Sequence, residues 1–121
     1  CFPAHSSTLT KEQLHEHIYS SCRILSEIGC DMIKTFYTHD FKQVTDSCPV
    51  PVFGLGAEKT PKQIQALRLA SNEIKDGARG VVFGRNAIQV TDPFLFQAAL
   101  CDVVKKGVKP EAAMEKYGLR D

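Results

Sequence analysis

The chain has 121 residues, with 15 Lys plus Arg against 14 Asp plus Glu and a formal charge of +1. Its 43% hydrophobic and 24% charged residues are an ordinary globular mix, which excludes a disordered tail and a nucleic-acid binder working through bulk positive charge. The longest apolar runs, such as Ala98 to Cys101, are three or four residues, so no membrane span is expected.

The chain begins at Cys1 with no initiator Met and no signal-peptide pattern, and is expected to be a piece of something larger. Its five cysteines, Cys1, Cys22, Cys30, Cys48 and Cys101, are widely and irregularly spaced with no C-x-x-C. Zinc sites and disulfide scaffolds need closer or paired spacing, so reduced thiols in a cytoplasmic protein are expected. Cys22 and Cys101 are placed on apolar helix faces, as small hydrophobes. His5, His15, His17 and His39 are scattered as well, and no metal or cofactor is implied.

Two kinds of segment alternate along the chain. From Lys11 to Ile28, apolar residues at Leu14, Ile18, Cys22, Leu25 and Ile28 step by four and three, which builds one helical face. Thr10 and Gln13 supply a capping box, and Gly29 a left-handed stop. Asp31 to Thr35 is too short for a helix and reads as a buried strand. A short helix is expected from about Asp40 to Ser47, and a strand over Val50 to Phe53 with Pro49 and Pro51 at its entry. After the turn Gly54-Leu55-Gly56-Ala57, Thr60-Pro61-Lys62-Gln63 predicts a helix start, with Ile64, Leu67, Ala70 and Ile74 as its stripe and Gly77 as its end. Gly80 to Phe83 is the next strand. A helix opening at Asp92-Pro93 runs to Gly107, and a short one spans Pro110 to Tyr117.

The repeating unit is strand, turn, helix, with strands near residues 31, 50 and 80 and a fourth ending at Pro3. Such alternation implies parallel pairing. Four βα units are half of an eightfold barrel, with a small open doubly wound sheet as the competing fold, and periodicity alone does not separate them. No linker-like stretch appears, so residues 1–121 are read as one domain.

In both folds function sits at the carboxyl ends of the strands. Lys34 closes a run of buried residues. A lysine amine that loses its proton on desolvation can attack a ketone or aldehyde, release water and leave an electron-withdrawing iminium. The plainer alternative is a lysine snorkelling to solvent at a strand end. Gly54-x-Gly56-Ala57 and Gly84-Arg85-Asn86 are glycine-bearing turns whose amides could face a phosphate. The first lacks the third glycine of a dinucleotide fingerprint, and no phosphate-binding G-x-x-x-x-G-K-[ST] loop occurs. Ser6, Ser7 and Thr8 beside His5 lack the turn of a hydrolase elbow and receive no role.

Three elements taken together carry a resemblance: Ile33-Lys34-Thr35, Cys48-Pro49-Val50-Pro51, and Gly84-Arg85-Asn86-Ala87-Ile88-Gln89. From about Lys11 to Tyr117 the chain is similar to the carboxyl-terminal half of the class I aldolases of the archaeal fructose-bisphosphate aldolase type. That family includes the thiolase acting on phosphorylated autoinducer-2. The resemblance implies half of a TIM (β/α)8 barrel. It implies Lys34 as the Schiff-base lysine, with Gly56, Ala57, Gly84 and Arg85 binding the phosphate of a phosphorylated sugar or keto substrate. Relatives usually carry two glycines where this chain has Gly56-Ala57, so a positive φ at Ala57 would be strained. Cys1-Phe2-Pro3 aligns where many members have Tyr-Pro, which puts Phe2 in place of the proton-transferring tyrosine; His5 lies close by.

The leading expectation is therefore a Schiff-base aldolase that makes or breaks a carbon–carbon bond. The alternatives are the acyl-transferring thiolase of the same family and a non-catalytic phosphate-binding fragment. A half barrel exposes two sheet edges, so the expected partners are the missing amino-terminal half or another copy of the chain, as in a homo-oligomer, with no nucleic acid and no membrane.

Overall fold

The structure is a computed structural model describing residues 1–121. Three short strands, β1 (Ile33–Thr35), β2 (Val52–Leu55) and β3 (Gly80–Val82), pair in parallel in the order β1-β2-β3. The helices are α1 (Lys11–Glu27), α2 (Phe41–Ser47), α3 (Gln63–Lys75), α4 (Arg85–Ile88), α5 (Pro93–Lys106) and α6 (Pro110–Lys116). No helix is long and apolar enough to cross a membrane.

Local chemistry explains several of these boundaries. Thr10 Oγ1 accepts from Gln13 N and Gln13 Oε1 accepts from Thr10 N, so the expected capping box opens α1. Asp92 caps α5 by accepting from Leu95 N, and Gly107 ends that helix at φ 66. The helices pack in two groups. Ile18 and Cys22 of α1 meet Phe41 and Val44 of α2 and Ile33 and Val52 of the sheet. Leu67 of α3 joins Phe96, Ala99 and Val103 of α5 and Ala113 of α6.

Several expectations need correction. Cys1 to Pro3 form no fourth strand: the terminal amine bonds Lys34 O, but Pro3 has no N–H to continue a ladder. β2 starts at Val52, because Pro49 and Pro51 donate nothing and Pro51 contributes only its carbonyl, to Ile33 N at 2.9 Å. α3 starts at Gln63, with Thr60 outside the helix and its hydroxyl bonded to Lys62 O and Asn86 Oδ1. The turn after β3 winds at once into α4, a helix too short for its periodicity to show in sequence. Among the thiols, Cys22 is buried as expected and Cys101 is exposed; all five are unpaired.

The register sets which residues face the site. Lys34 stands beside Phe53, and Phe53 beside Gly80; Leu55 stands beside Val82. Since side chains alternate along a strand, these five share one face, and Ile33, Thr35, Val52 and Gly54 share the face covered by helices. Lys34 is thus the middle residue of β1, exposed between buried Ile33 and Thr35, and does not close a buried run.

Candidate active site

A cavity of about 900 Å³ opens at the carboxyl ends of the strands. Lys34, Gly56, Ala57, Gly84 and Arg85 all line it, so side chains and loops between residues 34 and 85 meet there. Phe2, Phe36, Leu55 and Val82 supply apolar wall. The Lys34 ammonium lies 5.6 Å from the centre of the Phe2 ring, and that ring meets Phe36 edge-on at 5.3 Å. Phe2 therefore abuts the lysine as an apolar and π-face contact, with no hydroxyl to offer. His5 is not part of the wall, but its neighbours Ser6 and Ser7 are.

The cavity is electropositive. Lys34, Lys59 and Arg85 line it together with one acid, Glu58, and none of the three cations joins an ion pair with a carboxylate. Lys59 Nζ bonds only the carbonyl of Thr60, at 3.0 Å. The loop after β2 carries Ala57 at φ 51, the left-handed conformation that the missing second glycine would have made easy. Asn86, 1% exposed, ties this loop to the one after β3.

Among the polar residues that no sequence pattern marks as part of a site, Ser6, Ser7, Glu58, Lys59 and Thr60 also line the cavity, and Asn86 stands behind it. Asn86 stands inside the quoted Gly84-Arg85-Asn86 turn, which was a signal. The serines reach the cavity through a 3₁₀ turn at Ser6–Thr8, for which no sequence pattern exists.

A second polar feature lies behind the sheet. Glu73 of α3 is fully buried with neither carboxylate oxygen bonded, and burial pushes its carboxyl up to about 8. Its head fills the space that a side chain at Gly54 would occupy: a Cβ there would stand 2.1 Å from Glu73 Cδ. Thr35 Oγ1, on the same face of the adjoining strand, is also buried and unbonded.

Comparison with known proteins gives concordant results. The family model described as DeoC/LacD family aldolase matches residues 4–90. An uncharacterized aldolase of Pasteurella multocida is 38% identical over 96 residues, which are 78% of this chain and 33% of that protein. A 3-hydroxy-5-phosphonooxypentane-2,4-dione thiolase of an Enterobacter species is 34% identical over 108 residues, 87% of this chain and 36% of the thiolase. The crystal structure of an archaeal fructose 1,6-bisphosphate aldolase matches with a TM-score of 0.73 and 31% identity, over 80% of this chain and 40% of that one. A structural study of reaction intermediates in a Schiff-base-forming fructose-1,6-bisphosphate aldolase gives the same values. The chain thus spans roughly a third of the curated relatives it matches.

Proposed function

Since the chain belongs to the DeoC/LacD family of aldolases and has the fold of part of their TIM barrel, we propose that it carries the Schiff-base and phosphate-binding portion of a class I aldolase. The observation behind this reading is that Lys34 and both glycine-bearing loops line one electropositive cavity. Once the Lys34 ammonium has given up a proton, its amine attacks the carbonyl carbon of a phosphorylated ketose or related keto compound, and the resulting carbinolamine loses water to give an iminium. The hydroxyl on the second carbon from the iminium carbon gives its proton to water. The bond joining that carbon to its neighbour beside the iminium breaks to release an aldehyde, and the bond's electron pair moves into the iminium as an enamine. Protonation and hydrolysis then return Lys34 and the second product. Gly56, Ala57, Gly84 and Arg85 hold the phosphate, which fixes the carbonyl against the lysine.

The share of the relatives covered, together with strands β1 and β3 each paired on one side only, supports residues 1–121 as the carboxyl-terminal part of the barrel. Amino-terminal strands or a second copy would complete it. Five unpaired thiols support a reducing, cytoplasmic setting.

The test is borohydride reduction of the intact protein with dihydroxyacetone phosphate, followed by peptide mass analysis. A covalent adduct on Lys34, abolished in Lys34→Met along with roughly 10⁴-fold or more of the turnover, is expected. Arg85→Ala should raise KM for a phosphorylated substrate by about 10–100-fold, the cost of a lost charged hydrogen bond. Phosphate binding with no adduct would leave only a non-catalytic binding module.

The thiolase names among the relatives favour a second reading, acyl transfer to coenzyme A from the same kind of site. There the bond that breaks is carbon–carbon, the acyl group passes to the thiol sulfur, and the thiol proton ends on the departing carbon. Product analysis with and without coenzyme A separates a thioester from an aldehyde.

A further inference from the structure

The loop joining β2 to α3 is gripped from one side. Asn86 Nδ2 donates to Gly56 O and to Glu58 O, both at 2.9 Å, and an Arg85 guanidinium N–H donates to Ala57 O at 3.2 Å. Three successive carbonyls are thus turned toward the residues that follow β3. Asn86 Oδ1 in turn accepts from Thr60 N at 2.7 Å and from Thr60 Oγ1 at 3.1 Å. Both donors of this buried amide, and its oxygen, are used on one loop, the single Thr60 hydroxyl proton being shared between Asn86 Oδ1 and Lys62 O.

The other side of the loop is bare. The N–H groups of Ala57, Glu58 and Lys59 donate to no group of the chain, and all three residues line the cavity. Ala57 at φ 51 holds the left-handed conformation that strains an L side chain, so neighbouring contacts must enforce it. Carbonyls facing one way and successive amides the other, with a left-handed residue among them, is the geometry that gathers N–H groups on an anion.

Resting on the aldolase reading above, we infer that Asn86 is a positioning residue: it turns the loop's carbonyls away so that the amides of Ala57 to Lys59, reinforced by the Lys59 ammonium, join Gly84 and the remaining N–H groups of Arg85 on the substrate phosphate. Asn86 does not touch the ligand. An Asp in its place keeps the shape but sets a carboxylate oxygen against Gly56 O and Glu58 O, which must swing away and take their amides with them.

The experiment uses the intact protein with three probes: inorganic phosphate, dihydroxyacetone phosphate and dihydroxyacetone. Phosphate should slow hydrogen exchange at the Ala57, Glu58 and Lys59 amides of the wild type, and this protection should vanish in Asn86→Asp. Half-maximal borohydride trapping at Lys34 should need about tenfold or more dihydroxyacetone phosphate in that variant. Trapping with dihydroxyacetone, which has no phosphate, should change by less than about twofold, because the lysine is untouched. Equal losses with both ketones, or unchanged protection, would overturn the positioning role. Wild-type amides that phosphate fails to protect would overturn it without any variant, so poor folding of Asn86→Asp leaves it testable. Protection without any Lys34 adduct would instead sink the Schiff-base reading and leave the loop inference standing.

Discussion

Glu73 and Gly54 form a matched pair of sizes: the strand has no side chain where the helix places a carboxyl. The carboxyl goes into an enclosed space with nothing to bond, and its proton is held until about pH 8 in place of the usual 4.5. The unfolded chain releases that proton near the lower value, so between the two the folded state binds more protons and stability falls as pH rises. Glu73→Gln should remove this part of the decline and gain about 1–3 kcal/mol at pH 8, less at pH 5, as read by denaturant titration at both values. A loss at pH 8 would show that the carboxylate has a partner. Gly54→Ala should cost about 1–3 kcal/mol, because the buried carboxyl cannot retreat. The double change Gly54→Ala with Glu73→Ala should recover part of that loss, with a coupling of about 1 kcal/mol or more in a double-mutant cycle. No sequence pattern reveals such a pair, since nineteen positions separate its members and neither is unusual where it stands. Lys34 and the two glycine turns were legible for the opposite reason: each is announced by the strand it follows or sits in. Asn86 falls between these cases, in a turn that was recognised but with partners about thirty residues away.

Helices show the same division between local and distant causes. α1 begins where its sequence says, because both halves of its capping box lie within four residues. α3 does not, because its cap is remote: Asp121 Oδ1 accepts from Gln63 N at 2.5 Å and Oδ2 from Ile64 N at 3.3 Å. A carboxylate there satisfies two otherwise unpaired donors and meets the positive end of a thirteen-residue helix. Asp121→Ala should therefore cost about 0.5–2 kcal/mol and speed hydrogen exchange in the first turn of α3. Unchanged exchange at Gln63 and Ile64 would show the cap to be dispensable. α6 is fastened differently. Asp102 of α5, almost fully enclosed, takes hydrogen bonds from Lys106, Lys116 and Tyr117, and these hold its carboxyl well below the usual carboxylate range. A depressed folded value means the contribution is complete above the ordinary carboxylate pKa and is lost as acid protonates the group. Asp102→Asn should loosen α6 at neutral pH, seen as faster exchange over Pro110–Lys116, and should flatten the acid limb of the stability profile.

For the molecule as a whole, the sequence conveyed the parallel strand–helix grammar but not how far it closes. Three strands make an open sheet, so β1 and β3 each lack a strand neighbour on one side, where the Cys1 amine reaches Lys34 O at the β1 edge. The buried stripes of α1, α2 and α3 meet the other side of the sheet, and the side that carries Lys34 opens into the cavity. Val82 at the end of β3 is 43% exposed and Ile88, which shares a surface hollow with Val81 and Phe83, 66%, while Phe2 at the Lys34 end is 65% exposed. A solvated edge next to large apolar side chains is a template for another strand, and β3 carries nothing that blunts it: its one exposed residue is Val82, and it contains no lysine or proline. The 121-residue chain expressed by itself should therefore associate. Sedimentation should show mass rising with concentration in the micromolar range, and the protein should bind a dye specific for exposed apolar surface. Val82→Lys, placed on that edge and facing the open side, should lower both signals. It should leave the helical circular dichroism unchanged, because Val82 belongs to neither packed core. A chain that stays monomeric and dye-silent at high concentration would mean that the sheet edges are already protected, and the case for strands supplied from elsewhere would lose its physical basis.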